Sequence, residues 1–323
     1  MWRETINKDK MCKAYLFGVF VWAFSLLLVS CSFEDEPGVC PYNVRLEYWY
    51  AGHSSENRLS LRMDNLQELI YDSEGILIRN RELRGDSLTG YRAKLPPGDY
   101  TLVVWGNYGT ERRGTTRMEQ TDFLSSARLT SSRDTVPPGY RENTERLYYG
   151  SETFTVPPDG VLSQRIYVSH AHASLKITVS WLTDRPTLAG PLTMCLRGIP
   201  DEYGFRTGSE VASVNSAGPH RFPVTGVGET QHRVRASLDY QGDVSGEFVT
   251  LRYTDRTHQL WSLYCGDRQI VRELDLKRYF VRSSVEMGRN VEQEFHLLVL
   301  IEPDQIEVTE ISGSDWDEGG TIG

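Results

Sequence analysis

The sequence predicts an all-β protein, two tandem β-sandwich domains behind a secretory leader. Three observations carry this prediction. Period-two alternation of apolar and polar residues dominates from residue 43 onward. Pro/Gly/Asp turn clusters recur between the alternating runs, and amphipathic helical spacing is scarce. A basic segment followed by an uncharged apolar run opens the chain. The chain has 323 residues, 39% of them hydrophobic, enough to build cores of one or two domains.

The leader comes first. Arg3, Lys8, Lys10 and Lys13 precede the uncharged run Ala14–Val29, which is shorter than the ~20 residues that span a bilayer. Either Met1 or Met11 serves as its start, since Met11-Cys12-Lys13 supplies a more usual basic region. The run ends in Leu28-Val29-Ser30-Cys31, which resembles a bacterial lipobox, so cleavage is expected between Ser30 and Cys31 and lipidation on Cys31. Acyl chains contribute ~0.8 kcal/mol per buried methylene, and several on one cysteine make a stable anchor. Glu34, Asp35 and Glu36 then form an acidic tether that resembles the surface-export signal of lipoproteins of bacteroidete-type bacteria. The expected location is the outer membrane, facing the cell surface. Residues 1–30 carry four basic and two acidic groups, so their removal takes the net charge from −9 to −11. An acidic balance of this kind gives no basic face for nucleic acid, and no nucleic-acid partner is expected.

The body reads as follows. Val44, Leu46, Tyr48 and Tyr50 share one face of a strand, and Leu59, Leu61 and Met63 repeat the alternation. Residues 65–70 read as a short helical or irregular segment. Asp72-Ser73-Glu74-Gly75 is a tight turn joining 69–71 to 76–78 as a hairpin, with glycine supplying a positive φ. Pro96-Pro97-Gly98-Asp99 turns into Tyr100–Gly106, apolar on both faces as a central strand would be. Residues 109–146 read as a long loop or decorated crossover, and order returns at 147–156. Pro157–Gly160 closes the first half.

In the second half Ala171, Ala173, Leu175, Ile177, Val179 and Trp181 share a face. Further strands are expected at 193–197, 248–253, 260–264, 291–301 and 305–311, while 201–240 reads as polar and loop-rich. The expected divisions are leader 1–30, lipidated acidic tether 31–42, N-terminal sandwich 43–164, C-terminal sandwich 165–318 and tail 319–323.

Candidate chemistry is sparse. Cys12 leaves with the leader and Cys31 is taken by lipid, so Cys40, Cys195 and Cys265 remain without any CxxC pair. Whether two of them pair stays open. His170 and His172 alternate with alanines and have no acidic neighbour in the sequence, so no metal site is assigned and no cofactor is expected. No GxSxG, HExxH, P-loop or dinucleotide fingerprint occurs, and the acidic pairs Asp201-Glu202 and Asp315/Asp317 sit on loops or tails. No catalytic residue is named.

An ordered set of short motifs runs through the mature chain. It comprises Cys40-Pro41, Val44–Tyr48, Leu69-Ile70-Tyr71-Asp72-x-x-Gly75, Leu95-x-Pro97-Gly98-x-Tyr100, Trp105-Gly106-Asn107, Leu147–Gly150, Ile306-x-Val308 and Trp316. Together these resemble the FimB family of fimbrial anchor and accessory subunits, associated with type V pili. The resemblance implies two transthyretin-like sandwiches and a lipid-anchored subunit that attaches or caps a fimbrium. It also implies other fimbrial subunits as partners, joined by β-strand addition. The extreme strands, Val44–Tyr50 and 305–311, are the expected exchange points. The alternative is a surface glycan- or ligand-binding lipoprotein, for which Trp49, Trp105, Trp181, Trp261 and Trp316 supply stacking candidates.

Overall fold

A computed structural model describes residues 41–51, 57–110, 115–131, 140–212, 219–227, 231–285, 287 and 292–311. Cys31, the Ser30–Cys31 cleavage point, Glu34, Asp35, Glu36 and Cys40 lie outside the described residues, as does Trp316. The fold is all-β, with residues 43–323 forming one unit.

The first half supplies β1 (Val44–Tyr50), β2 (Asn65–Tyr71), β3 (Leu77–Arg84), β4 (Gly90–Ala93) and β5 (Gly98–Gly106). These are followed by β6 (Thr116–Glu119), β7 (Arg128–Ser131), β8 (Tyr140–Arg141), β9 (Tyr148–Val156) and β10 (Leu162–His170). Seven of these make one sheet in the order β3-β2-β5-β9-β10-β1-β4, with β1 parallel to β10. The expected hairpin forms between β2 and β3. Asp72 Oδ1 accepts the N–H groups of Glu74 and Ile76 at 3.0 and 2.8 Å, and Gly75 takes φ 78°.

β5 is buried on both faces, as its double-sided apolar sequence requires. Leu102 and Val104 enter one core with Val44, Leu46, Tyr48, Leu66, Ile70 and Ile166. Val103 and Trp105 point to the opposite face, where Leu69, Tyr71, Tyr149, Tyr203, Phe205 and Leu251 pack around them.

The second half supplies β11 (His172–Trp181), β12 (Leu192–Arg197), β13 (Pro200–Ala212), β14 (Pro219–Val227), β15 (Gln231–Arg235) and β16 (Ser237–Leu238). It continues with β17 (Val244–Leu251), β18 (Leu260–Cys265), β19 (Arg268–Asp275), β20 (Glu294–Ile301) and β21 (Ile306–Glu310). Two five-stranded sheets, β16-β17-β11-β20-β21 and β19-β18-β12-β15-β8, enclose the other large core. Leu175, Ile177 and Val179 of β11 meet Trp261, Leu263, Leu297 and Val299 there, all fully buried. A four-stranded sheet, β14-β13-β7-β6, carries Leu129, Tyr203 and Phe205 against the outer face of β5.

Four sequence expectations are corrected. Leu59–Arg62 is a helical turn, α1, rather than a strand: Leu59 and Met63, four apart, are both buried, while Leu61 is 79% exposed. Two alternating leucines cannot distinguish one helical turn from a short strand, and the i, i+4 pair decides it. Residues 65–70 form β2, because pairing on both sides with β3 and β5 outweighs the weak local signal. The stretch 109–146 contains β6, β7 and β8, and 201–240 contains most of β13 together with β14 and β15. These strands lack period-two patterning, and the β13/β14 ladder itself is interrupted by register shifts. The second short helix, α2 (Leu276–Arg282), buries Leu276 and Phe280, again four apart.

Candidate functional site

Two regions are candidates for function: the sheet edges, and a polar cluster where the chain passes from β10 to β11.

β21 ends its sheet. It pairs antiparallel with β20 from Ile301↔Ile306 to Leu297↔Glu310, and no described strand lies on its other side. Ile306 and Val308 turn inward onto the core, while Glu307 is exposed. β1, by contrast, is interior and is not an exchange edge. β10 pairs along all of it, and β4 covers Val44–Glu47 on the other side. Its four inward residues are buried. Of the two extreme strands expected to exchange, only β21 is therefore an open edge.

The stacking tryptophans are mostly spent in packing. Trp105 and Trp261 are fully buried, Trp181 packs on the second core, and the Arg165 guanidinium covers Trp49 at 4.2 Å from its ring centroid. The described cysteines Cys195 and Cys265 are both free thiols. No helix among the described residues is long and apolar enough to cross a membrane.

Of the polar cluster, the sequence shows only the His170/His172 pair, because the other members are far apart along the chain. His170 closes β10 and His172 opens β11, and their rings stack at 4.5 Å, tilted by 22°. Tyr148 meets both edge-on, at 4.9 and 5.5 Å. The Leu147 carbonyl accepts from His172 Nδ1 at 2.7 Å, which leaves Nε2 as the unprotonated nitrogen. Both histidines are fully buried. Burial holds His172 near a pKa of about 3, with Arg146, Arg252 and Arg62 adding to the effect. Burial and the neighbouring His172 push His170 well below the usual imidazole range, and the same three arginines act in the same direction.

The sequence reading found no acidic partner for this pair, yet folding supplies one. Glu294, the first residue of β20, brings a carboxylate oxygen so close that one atom from each residue lies within 4.8 Å of the others. β20 is placed by Gln293, whose amide bridges the backbone N–H and C=O of Tyr253 at 2.7 and 2.9 Å and also donates to the Met287 carbonyl. Buried Arg252 donates to the carbonyls of His170 and Met287 at 3.1 and 3.3 Å, with burial lowering its pKa to about 10. Tyr50 donates to Glu292, a contact across 242 residues of chain. Arg62 pairs with Glu292 at 3.3 Å, and Arg146 pairs with Glu247 at 2.8 Å and Glu294 at 3.3 Å. The cluster thus joins the seven-stranded sheet to the sheet of β11 and β20.

Comparison with known proteins places the chain beside fimbrial surface proteins. Residues 36–193 match a family model, that of the fimbrillin-A associated anchor proteins Mfa1 and Mfa2, in keeping with the resemblance read from the sequence motifs. Solved structures share the fold. A candidate adhesin from Bacteroides thetaiotaomicron superposes with a TM-score of 0.60 at 15% identity, covering 84% of this chain and 96% of that one. The fimbrial anchor protein Mfa2 of Porphyromonas gingivalis gives 0.57 at 12% identity, with the same coverage of 84% and 96%. A polysaccharide-binding candidate, also from Bacteroides thetaiotaomicron, gives 0.59 at 13% identity over 83% of this chain and 98% of that one. No curated protein matches the sequence.

Proposed function

We propose that this chain is a lipid-anchored subunit that attaches or caps a type V-like pilus at the outer membrane. The observation that carries the reading is the anchor-family match, which begins at residue 36, inside the acidic tether behind the lipobox cysteine. In this reading Ser30–Cys31 is cleaved and Cys31 acylated, and Glu34, Asp35 and Glu36 direct the protein to the outer face. The body would then comprise two transthyretin-like sandwiches, 43–164 and 165–318. Two large cores support that division, one drawn from residues 44–168 and the other from 173–308.

Other fimbrial subunits join by strand addition at β21. Main-chain hydrogen bonds along an open edge supply the affinity, and side-chain pockets supply the choice of partner. An edge left unpaired in the isolated subunit is otherwise a liability for aggregation. Nothing in the reading requires a catalytic group, a cofactor or nucleic acid.

Deleting the gene and inspecting cells by electron microscopy tests the proposal. Fimbriae should be shed or altered in length, and normal, cell-attached fimbriae would refute the anchor role. Cys31→Ala should release the protein from the membrane fraction, and continued membrane association would refute acylation at Cys31.

A further inference from the structure

We propose that His170, His172 and Glu294 form a binding site for a divalent transition metal of the zinc class, clamping the seven-stranded sheet to the sheet of β11 and β20. The donor set, two imidazoles and one carboxylate with a fourth position left over, is one that zinc-class ions accept. Among the described residues His170 has no hydrogen-bond partner at either ring nitrogen, and His172 Nε2 has none. Three buried polar atoms left unpaired are costly, since each has given up its bonds to water without replacing them. A ligand that takes lone pairs from two of them removes most of that deficit.

The surroundings resemble a metal shell in two respects. The Leu147 carbonyl fixes the His172 tautomer with Nε2 lone pair free, as outer-shell acceptors do for metal-bound histidines. Tyr148 packs edge-on against both rings.

Closure of the site is modest. Ligand atoms on one tetrahedral metal at ~2.1 Å lie ~3.4 Å apart, so separations that all lie within 4.8 Å need contract by no more than about 1.4 Å. Rotation of the rings out of their stack and a turn of Glu294, an exposed side chain, supply this movement. Releasing Glu294 leaves Arg146 on its shorter contact to Glu247, at 2.8 Å against 3.3 Å. The nearby Arg62, Arg146 and Arg252 oppose a cation, while Glu247 and Glu292 offset them. The expected affinity is therefore about micromolar rather than nanomolar.

The test is Zn²⁺ titration of the purified full chain at neutral pH by calorimetry, with Co²⁺ as a spectroscopic substitute. One equivalent should bind, four-coordinate Co²⁺ bands should appear in the visible, and the melting midpoint should rise with Zn²⁺. Glu294→Gln, which alters an exposed side chain, should weaken binding at least tenfold, and His172→Gln should do the same. Absence of stoichiometric uptake by the wild-type chain overturns the proposal. So does uptake that Glu294→Gln leaves unchanged, a result that stands even where His172→Gln fails to fold.

Discussion

Replacing Trp105 with alanine tests how the sheets are held together. Trp105 is fully buried on the outer face of β5, with ring centroids 4.8, 5.9 and 5.6 Å from Tyr149, Tyr203 and Phe205. Tyr149 belongs to the same sheet, whereas Tyr203 and Phe205 come from β13, so the indole is shared between two sheets. Truncating a buried tryptophan to alanine costs ~3–5 kcal/mol through lost transfer energy and the cavity left behind. In a chain of this size that corresponds to a midpoint lowered by about 6–10 °C. The indole N–H has no partner among the described residues, so Trp105→Phe removes an unsatisfied donor while keeping most of the ring. It should lose less than half of what alanine loses. Scanning calorimetry reads both variants. If Trp105→Ala melts within about 1 kcal/mol of wild type, or if phenylalanine is as damaging as alanine, the indole is not the shared contact described here.

Glu68 offers a test of pH. It is fully buried and accepts from the Tyr48 and Tyr91 hydroxyls, and burial raises its pKa above the ordinary carboxylate value despite those bonds. A raised carboxyl pKa contributes stability below the unfolded pKa, and that contribution is lost as pH rises through the folded value. Glu68→Gln should therefore gain on wild type, in urea midpoint, between about pH 4.3 and neutrality. A difference between the two proteins that does not change with pH would contradict this. Gly198 sits at φ 74°, and a Cβ there would lie 2.1 Å from the His258 carbonyl oxygen. Gly198→Ala should cost well over 1 kcal/mol by chemical denaturation, and a neutral result would contradict the close approach. Arg146→Ala breaks two half-exposed ion pairs and should change stability by less than about 1 kcal/mol; a larger loss would mean those pairs hold the joint.

The sequence by itself determined the features whose physics is local. The Asp72–Gly75 hairpin and the strands at Val44–Tyr50, Gly98–Gly106 and His172–Trp181 are all encoded within a few residues. Alternation in those strands reports directly which side chains face a core, because successive residues point to opposite faces. The ordered motifs likewise carried the fimbrial resemblance that the family match over 36–193 supports.

Tertiary structure decided what depends on neighbours. Edge or interior position is a property of pairing, and only the sheet order separates β1, flanked by β10 and β4, from the open β21. Strands in 109–146 and 201–240 are short or rich in polar residues, and their main-chain pairing is not reported by the side-chain pattern. Glu294 lies more than a hundred residues from His170 and His172, and no local pattern could bring it to them. That meeting follows from the parallel pairing of β11 with β20, in which Ser174 opposes Glu294. A site assembled across sheets is recorded in their pairing, and the sequence shows only its separate parts.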